Sequence, residues 1–452
     1  MSQCAKRGMF ATLAILFFTS VAIVSLTSGT RLIVHADPAG IKYTGAGTCS
    51  AAACHGAAAP KEEAATRHNE NTTWSGDKDK HSVSYSDPKR GLVSPEAKEI
   101  AGKLKLADAT KADRCLTCHA LSGIGADRAS RVFLKPGDIN AAKYKVDEGN
   151  SCDACHGPAD TYVKDHVAAG WTAKQRTALG SEKLYTQVGL YDTKNLKFRA
   201  NQCLSCHLKI DADMVAAGHP ELSFELDSMT NPDQPWNNDW IHWRKNPAWY
   251  SGKVWAMGQV VSLRHAALQL SERHKAKAAD ELIKKSQGVV IAHALTSRQI
   301  AKVVDAGSQA AIDAQLTAIN AAGADGAKVA AAADELAKAA DALADKVNDK
   351  AWDQAATDTL LKGVASEGAQ ATASGFKAAE QFSIGLNSLY NTIVNNSTPK
   401  PADADAKNAK IGDLYTPLGD GAKDPFKADD FGKAAAGMAT QFPGGASIPL
   451  PK

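Results

Sequence analysis

Cysteine is almost absent from this 452-residue chain outside one recurring pattern. Eight of its nine cysteines fall within four short motifs, and the ninth, Cys4, precedes a long apolar run. Net charge is equally scarce. The chain carries +3, and residues 1–36 hold Lys6, Arg7 and Arg31 with no acid, which leaves 49 basic against 49 acidic residues beyond them. That balance gives no signal of a nucleic-acid or anionic-membrane surface. Large aliphatic residues are sparse between residues 37 and 250, where Gly, Ala, Asp and Lys prevail. A stretch so poor in core-formers should struggle to offset its conformational entropy. Something other than side chains is expected to fill its interior.

The four motifs supply it. Cys115-Leu-Thr-Cys118-His119, Cys152-Asp-Ala-Cys155-His156 and Cys203-Leu-Ser-Cys206-His207 share the spacing Cys-x-x-Cys-His, the attachment sequence of c-type haem. On a helix, residues three and four apart share a face, so both thiols reach the haem vinyl groups while the histidine reaches the iron. Cys49-Ser-Ala-Ala-Ala-Cys54-His55 carries four residues between its cysteines, so it must bulge out of helical register. Zinc, iron–sulfur and disulfide readings leave unexplained why each second cysteine is followed directly by histidine. Four covalent haems are expected, each a rigid apolar body around which short helices pack. The intervals between the proximal histidines His55, His119, His156 and His207 are 64, 37 and 51 residues, too uneven for a solenoid.

A sixth iron ligand is supplied by histidine, methionine or nothing, and methionine raises the potential relative to a second histidine. Met214, Met229 and Met257 are the methionines near enough in sequence, whereas His68, His81, His166, His219 and His242 all lie within the haem region.

At the N-terminus, Lys6 and Arg7 precede an uncharged, mostly apolar run over residues 9–26, and Val34-His35-Ala36 suits a signal peptidase. Residues 1–36 read as a secretory signal peptide removed after Ala36. The competing reading is a retained anchor, since the run nears the length of a membrane span. Export places the protein in the periplasm or another extracytoplasmic space, with no integral span after cleavage.

The class expected is mostly α, with almost no β-structure. A tetrahaem domain of short helices covers 37–275, an alanine-rich antiparallel bundle of four to five helices covers 276–396, and an irregular tail covers 397–452. Val254, Met257, Val260, Val261 and Leu268 recur at helical spacing, and breaks near 322–326 and 348–350 read as inter-helix turns. Five of the eight tryptophans, Trp236, Trp240, Trp243, Trp249 and Trp255, cluster before the bundle. They are expected to cover haem edges and form the seam between the two parts. As an independent unit, the bundle should be dispensable for the haem spectrum.

In order along the chain come the first motif with Asp79-Lys-His81, then Cys-Leu-x-Cys-His-Ala at 115–120. Cys-x-Ala-Cys-His-Gly-Pro at 152–158 follows with a histidine ten residues on, and last a Cys-x-Ser-Cys-His motif with Ser-Phe-Glu-Leu-Asp-Ser-Met at 223–229. This order resembles the cytochrome c-554 family, tetrahaem carriers that serve hydroxylamine oxidoreductase in nitrifying bacteria. The similarity is stronger to an uncharacterised multihaem branch with a Cys-x4-Cys-His first motif and the Gly-His-Pro-x-Leu-x-Phe-Glu-Leu segment found at 218–226. It covers about 45–270 and leaves the bundle unaccounted for. The resemblance implies that His166 ligates the first haem, His81 the third, and either His219 or His242 the fourth. It leaves the haem of His119 open on one side, although this chain has a histidine to spare. An exported electron carrier between redox protein partners is the function implied. The alternative is a haem enzyme that reduces or oxidises a small nitrogen oxide at one open-sided iron. No resemblance points to a lysine-ligated catalytic haem, since all four motifs end in histidine.

Overall fold

Seventeen α-helices and two three-residue strands form the regular structure of the described residues. These are 40–61, 67–75, 79–120, 122–124, 131–230, 247–419 and 425–451 of a computed structural model. They belong to one compact unit. The signal-peptide reading over 1–36, and Trp236, Trp240, His242 and Trp243, lie outside the described residues.

The first half consists of short helices on long connections. They are α1 (Glu70–Ser75), α2 (Pro95–Lys103), α3 (Asp113–His119), α4 (Cys152–His156), α5 (Trp171–Lys183), α6 (Leu196–His207), α7 (Ala212–Ala216) and α8 (Leu226–Thr230). Strands β1 (Ser122–Ile124) and β2 (Arg131–Phe133) pair antiparallel, with Ile124 opposite Arg131. Hydrophobic clusters here are small and separate, such as Tyr43 with Leu134 and Ala154, or Ile124 with Tyr185 and Tyr191. The exceptions are α6 and α8, whose Leu196, Leu204 and Leu226 join a much larger cluster with residues beyond 250.

The second half packs differently. Helices α9 (Tyr250–Lys275), α10 (Asp280–Val304), α11 (Ala306–Ala322), α12 (Gly326–Asp349), α13 (Gln354–Ala365), α14 (Gly368–Ala373) and α15 (Phe376–Asn396) run through residues 250–396. Both expected breaks fall at helix ends: α12 starts at Gly326, where Asp325 accepts the Lys328 amide, and it stops at Asp349. Seven helices stand where four or five were expected, because the chain between α9 and Asn396 divides into more and shorter pieces. Helix α9 packs against α12, α10 and α6, and Val254, Met257, Val260, Val261, Leu263 and Leu270 along it are fully buried. The same cluster takes in Leu196, Ala200 and Leu204 of α6 together with Leu336, Leu343 and Val347 of α12. The core therefore runs without interruption across residue 275, and the fourth cysteine motif is rooted in it.

The stretch after 397, expected to be irregular, contains α16 (Ala404–Gly412) and α17 (Ala428–Gln441). Phe431, Ala435 and Met438 follow helical spacing and are buried. Residues 443–451 are irregular and lie along the bundle, where Arg298 donates to the Ile448 and Pro449 carbonyls at 2.8 and 2.6 Å. Trp255, expected at a haem edge, instead sits inside the bundle and donates to the Gly385 carbonyl at 2.8 Å.

Candidate metal centre

Three motifs occupy helix C-termini, with the proximal histidine as the last helical residue: His119 in α3, His156 in α4 and His207 in α6. In α4 the stop is built into the sequence. Gly157 follows at φ 82°, its amide bonded to the Asp153 carbonyl, and a Cβ there would lie 2.1 Å from the Gly189 carbonyl oxygen. Pro158 then prevents continuation. The first motif is not helical. Its bulge is closed by the His55 amide on the Cys49 carbonyl at 3.2 Å, and its three alanines are exposed.

Each proximal imidazole can be matched against the other histidines. An imidazole nitrogen ligates a first-row metal at about 2 Å, so two axial imidazoles on one iron hold their ring centroids roughly 6 Å apart. His55 and His166 lie 6.1 Å apart with planes 8° from parallel. His81 and His207 lie 5.9 Å apart at 81°, and His119 and His219 lie 6.2 Å apart at 76°. Residues up to 126 positions apart are thus brought to the spacing that a bis-imidazole iron requires. A further ring, His68, stands 6.4 Å from His55.

The tautomers are set to match. His55 Nδ1 bonds Glu70 Oε2 and His81 Nδ1 bonds Asp79 Oδ1, both at 2.9 Å. His119 Nδ1 meets the Ser84 carbonyl at 2.9 Å, His219 Nδ1 the Pro220 carbonyl at 2.9 Å, and His166 Nδ1 the Tyr162 carbonyl at 3.2 Å. An imidazole that donates from Nδ1 presents an unprotonated Nε2, the state a metal needs. Against the opposing pull of burial, the hydrogen bond from His55 holds Glu70 at about 2, so it is an anion. Burial pushes His207 down to about 3 and lowers His119, so both rings are neutral.

These pairings depart from those the resemblance implies. His166 does stand opposite His55. His81, however, faces His207 of the fourth motif rather than His156 of the third, and His219 faces His119 of the second rather than its sequence neighbour His207. The position opposite His119, which the resemblance leaves open, therefore has an imidazole beside it. The reason is tertiary: α7 is tied back to α3 by Arg114, which meets Asp213 at 2.7 Å and Asp211 at 3.2 Å, and that carries His219 to His119. Of the three methionines near in sequence, Met257 is in the bundle core, Met229 is exposed and Met214 is half-buried in α7.

None of the eight motif cysteines is in a disulfide. Among the described residues no three His, Cys, Asp or Glu side chains converge on a point suited to a bare metal ion. Burial pushes the Cys155 and Cys203 thiols up to about 11 and 12, while the neighbouring Cys118 thiol and Arg131 hold Cys206 down at about 6. The motifs are nevertheless adjacent in pairs. The Cys118 and Cys206 thiols are close enough to shift each other's titration, as are those of Cys49 and Cys152. Gln202, just before the fourth motif, donates to the Ala154 and Cys155 carbonyls of the third at 3.1 and 2.9 Å. Arg131 of β2 bridges the same two motifs.

Sequence patterning had no means of finding Glu70, Gln202 or Arg131, which act across long loops. Asp79, two residues before His81, was visible as part of the Asp-Lys-His segment. The bundle histidines are ordinary core residues: His265 Nε2 meets Asn201 Oδ1 at 3.0 Å and His293 Nδ1 meets Gln259 Oε1 at 3.1 Å. No described helix is long and apolar enough to cross a membrane. No family model, curated protein or solved structure matches this chain.

Proposed function

We propose that this chain is an exported tetrahaem c-type cytochrome of the cytochrome c-554 kind, which carries electrons between redox protein partners. The observation that supports it most is the set of three imidazole pairs at axial spacing, each beginning or ending at a Cys-x-x-Cys-His or Cys-x4-Cys-His histidine. Bound haem supplies the one-electron chemistry. The protein's residues anchor it through Cys49, Cys54, Cys115, Cys118, Cys152, Cys155, Cys203 and Cys206, and hold each ring nitrogen in the ligating tautomer. Motif adjacency orders the path as first, third, fourth, second: thiol proximity pairs first with third and fourth with second, and Gln202 joins third to fourth. With His219 beside His119, the carrier reading is favoured over a small-molecule reductase at that haem.

Mass spectrometry of the mature protein tests the reading. It should find four haem additions on a polypeptide that begins near Asp37. Three additions, with Cys49 and Cys54 unmodified, would remove the first motif, and no addition would overturn the proposal.

The carboxylate on His55 makes a second test. An anionic acceptor at Nδ1 makes the imidazole a stronger donor and favours ferric iron. Glu70→Gln keeps the shape and removes the charge, so the midpoint potential of the first haem should rise while its spectrum stays low-spin. An unchanged potential would show that Glu70 does no more than orient the ring.

A further inference from the structure

Arg131 is the one cation found bridging two cysteine motifs among the described residues, and no carboxylate meets it. Its Nη1 donates to the Ala154 carbonyl at 2.8 Å, inside the third motif. Its Nε donates to Ser205 Oγ at 2.9 Å, inside the fourth, and its Nη2 to the Gln202 carbonyl at 3.1 Å, one residue before it. Three of the five guanidinium N–H groups are thus spent on neutral oxygens. The titratable groups within its field include Cys206, Cys155, Tyr191 and Tyr43, and also Cys203, Cys118, His81 and His207. Asp79, which also acts on Cys155, is engaged with the amide and Nδ1 of His81. Thioether formation would remove both thiols as titratable groups and leave the guanidinium as the charge hydrogen-bonded to both motifs.

A guanidinium does not lose its proton in proteins, and a charge in a partly buried setting acts far more strongly than at a wet surface. Reduction of haem iron adds one negative charge. A fixed positive charge beside it favours the reduced state.

We propose that Arg131 is an electrostatic bias residue that makes the third and fourth haems easier to reduce than their ligands alone would, so that an electron in transit rests at the middle of the path. The inference depends on the tetrahaem reading. It is distinct from the ligand effect at Glu70, because Arg131 contacts no axial histidine.

The test is a spectroelectrochemical titration of the full-length holoprotein, with its haem count measured alongside. R131Q should lower the midpoint potentials of the third and fourth haems most and that of the first least, with four haems retained. R131K, which keeps the charge but not the fork, should restore most of the shift. Ser205→Asp places an anion against the guanidinium and should lower the same two potentials with Arg131 intact, so it decides the matter if R131Q loses haem. Unchanged potentials in R131Q with four haems present would overturn the inference, as would a shift in R131K equal to that in R131Q. A wild-type protein with no haem would instead overturn the tetrahaem reading itself.

Discussion

His166→Ala should convert one low-spin haem to high-spin and add one bound carbon monoxide per chain. The imidazole lost stands 6.1 Å from His55, and an iron left with one axial ligand binds carbon monoxide where a bis-histidine iron resists it. His81→Ala and His219→Ala should each do the same at a different haem, because they face His207 and His119. The three effects should therefore add, and the triple variant should bind three carbon monoxide molecules more than the parent. A double variant His81→Ala/His219→Ala that gains only one would place both residues on one iron and refute the pairing described above. An unchanged spectrum in His166→Ala would hand that axial position to His68, 6.4 Å from His55.

Truncation after Lys275 should abolish soluble holoprotein. The sequence marks 275 as the end of the haem region, and on that reading the cut would be silent. The structure gives the opposite expectation. Val254, Met257, Val260, Val261, Leu263 and Leu270 of α9 are fully buried, and α10 and α12, which cover much of this helix, would be gone. Exposure of six such side chains costs about 1.5–3 kcal/mol each, which approaches or exceeds a whole-domain margin of about 5–15 kcal/mol. Leu196, Ala200 and Leu204 belong to the same cluster, so the helix that ends in Cys203, Cys206 and His207 should fail with it. Soluble truncated protein with four haems, measured by absorbance and mass, would show that the haem region stands alone.

Chemistry was legible wherever it is local. Cys-x-x-Cys-His at 115, 152 and 203 depends on residues three and four apart on one helical turn, and the structure sets all three at helix ends. The stop after His156 is equally local, since Gly157 and Pro158 dictate it. Helical character from 250 to 396, and the turns before Gly326 and after Asp349, followed from spacing and turn residues. The length of α9 as part of the bundle was less legible. Its apolar residues lie on every side, so no stripe in the sequence announces which neighbours cover it.

The sequence by itself determined the four cysteine–histidine motifs, the α class and the supply of further imidazoles, because each follows from residue type or from spacing within a few turns. Only the tertiary structure decided which imidazole meets which. His81 precedes the second motif yet stands at the fourth, and His219 follows the fourth motif yet stands at the second. The same long-range packing set Glu70 on His55 and Arg131 between two motifs. Such meetings are fixed by loop closure and by contacts such as Arg114 with Asp213, whose energies depend on the whole fold and leave no periodic trace along the chain.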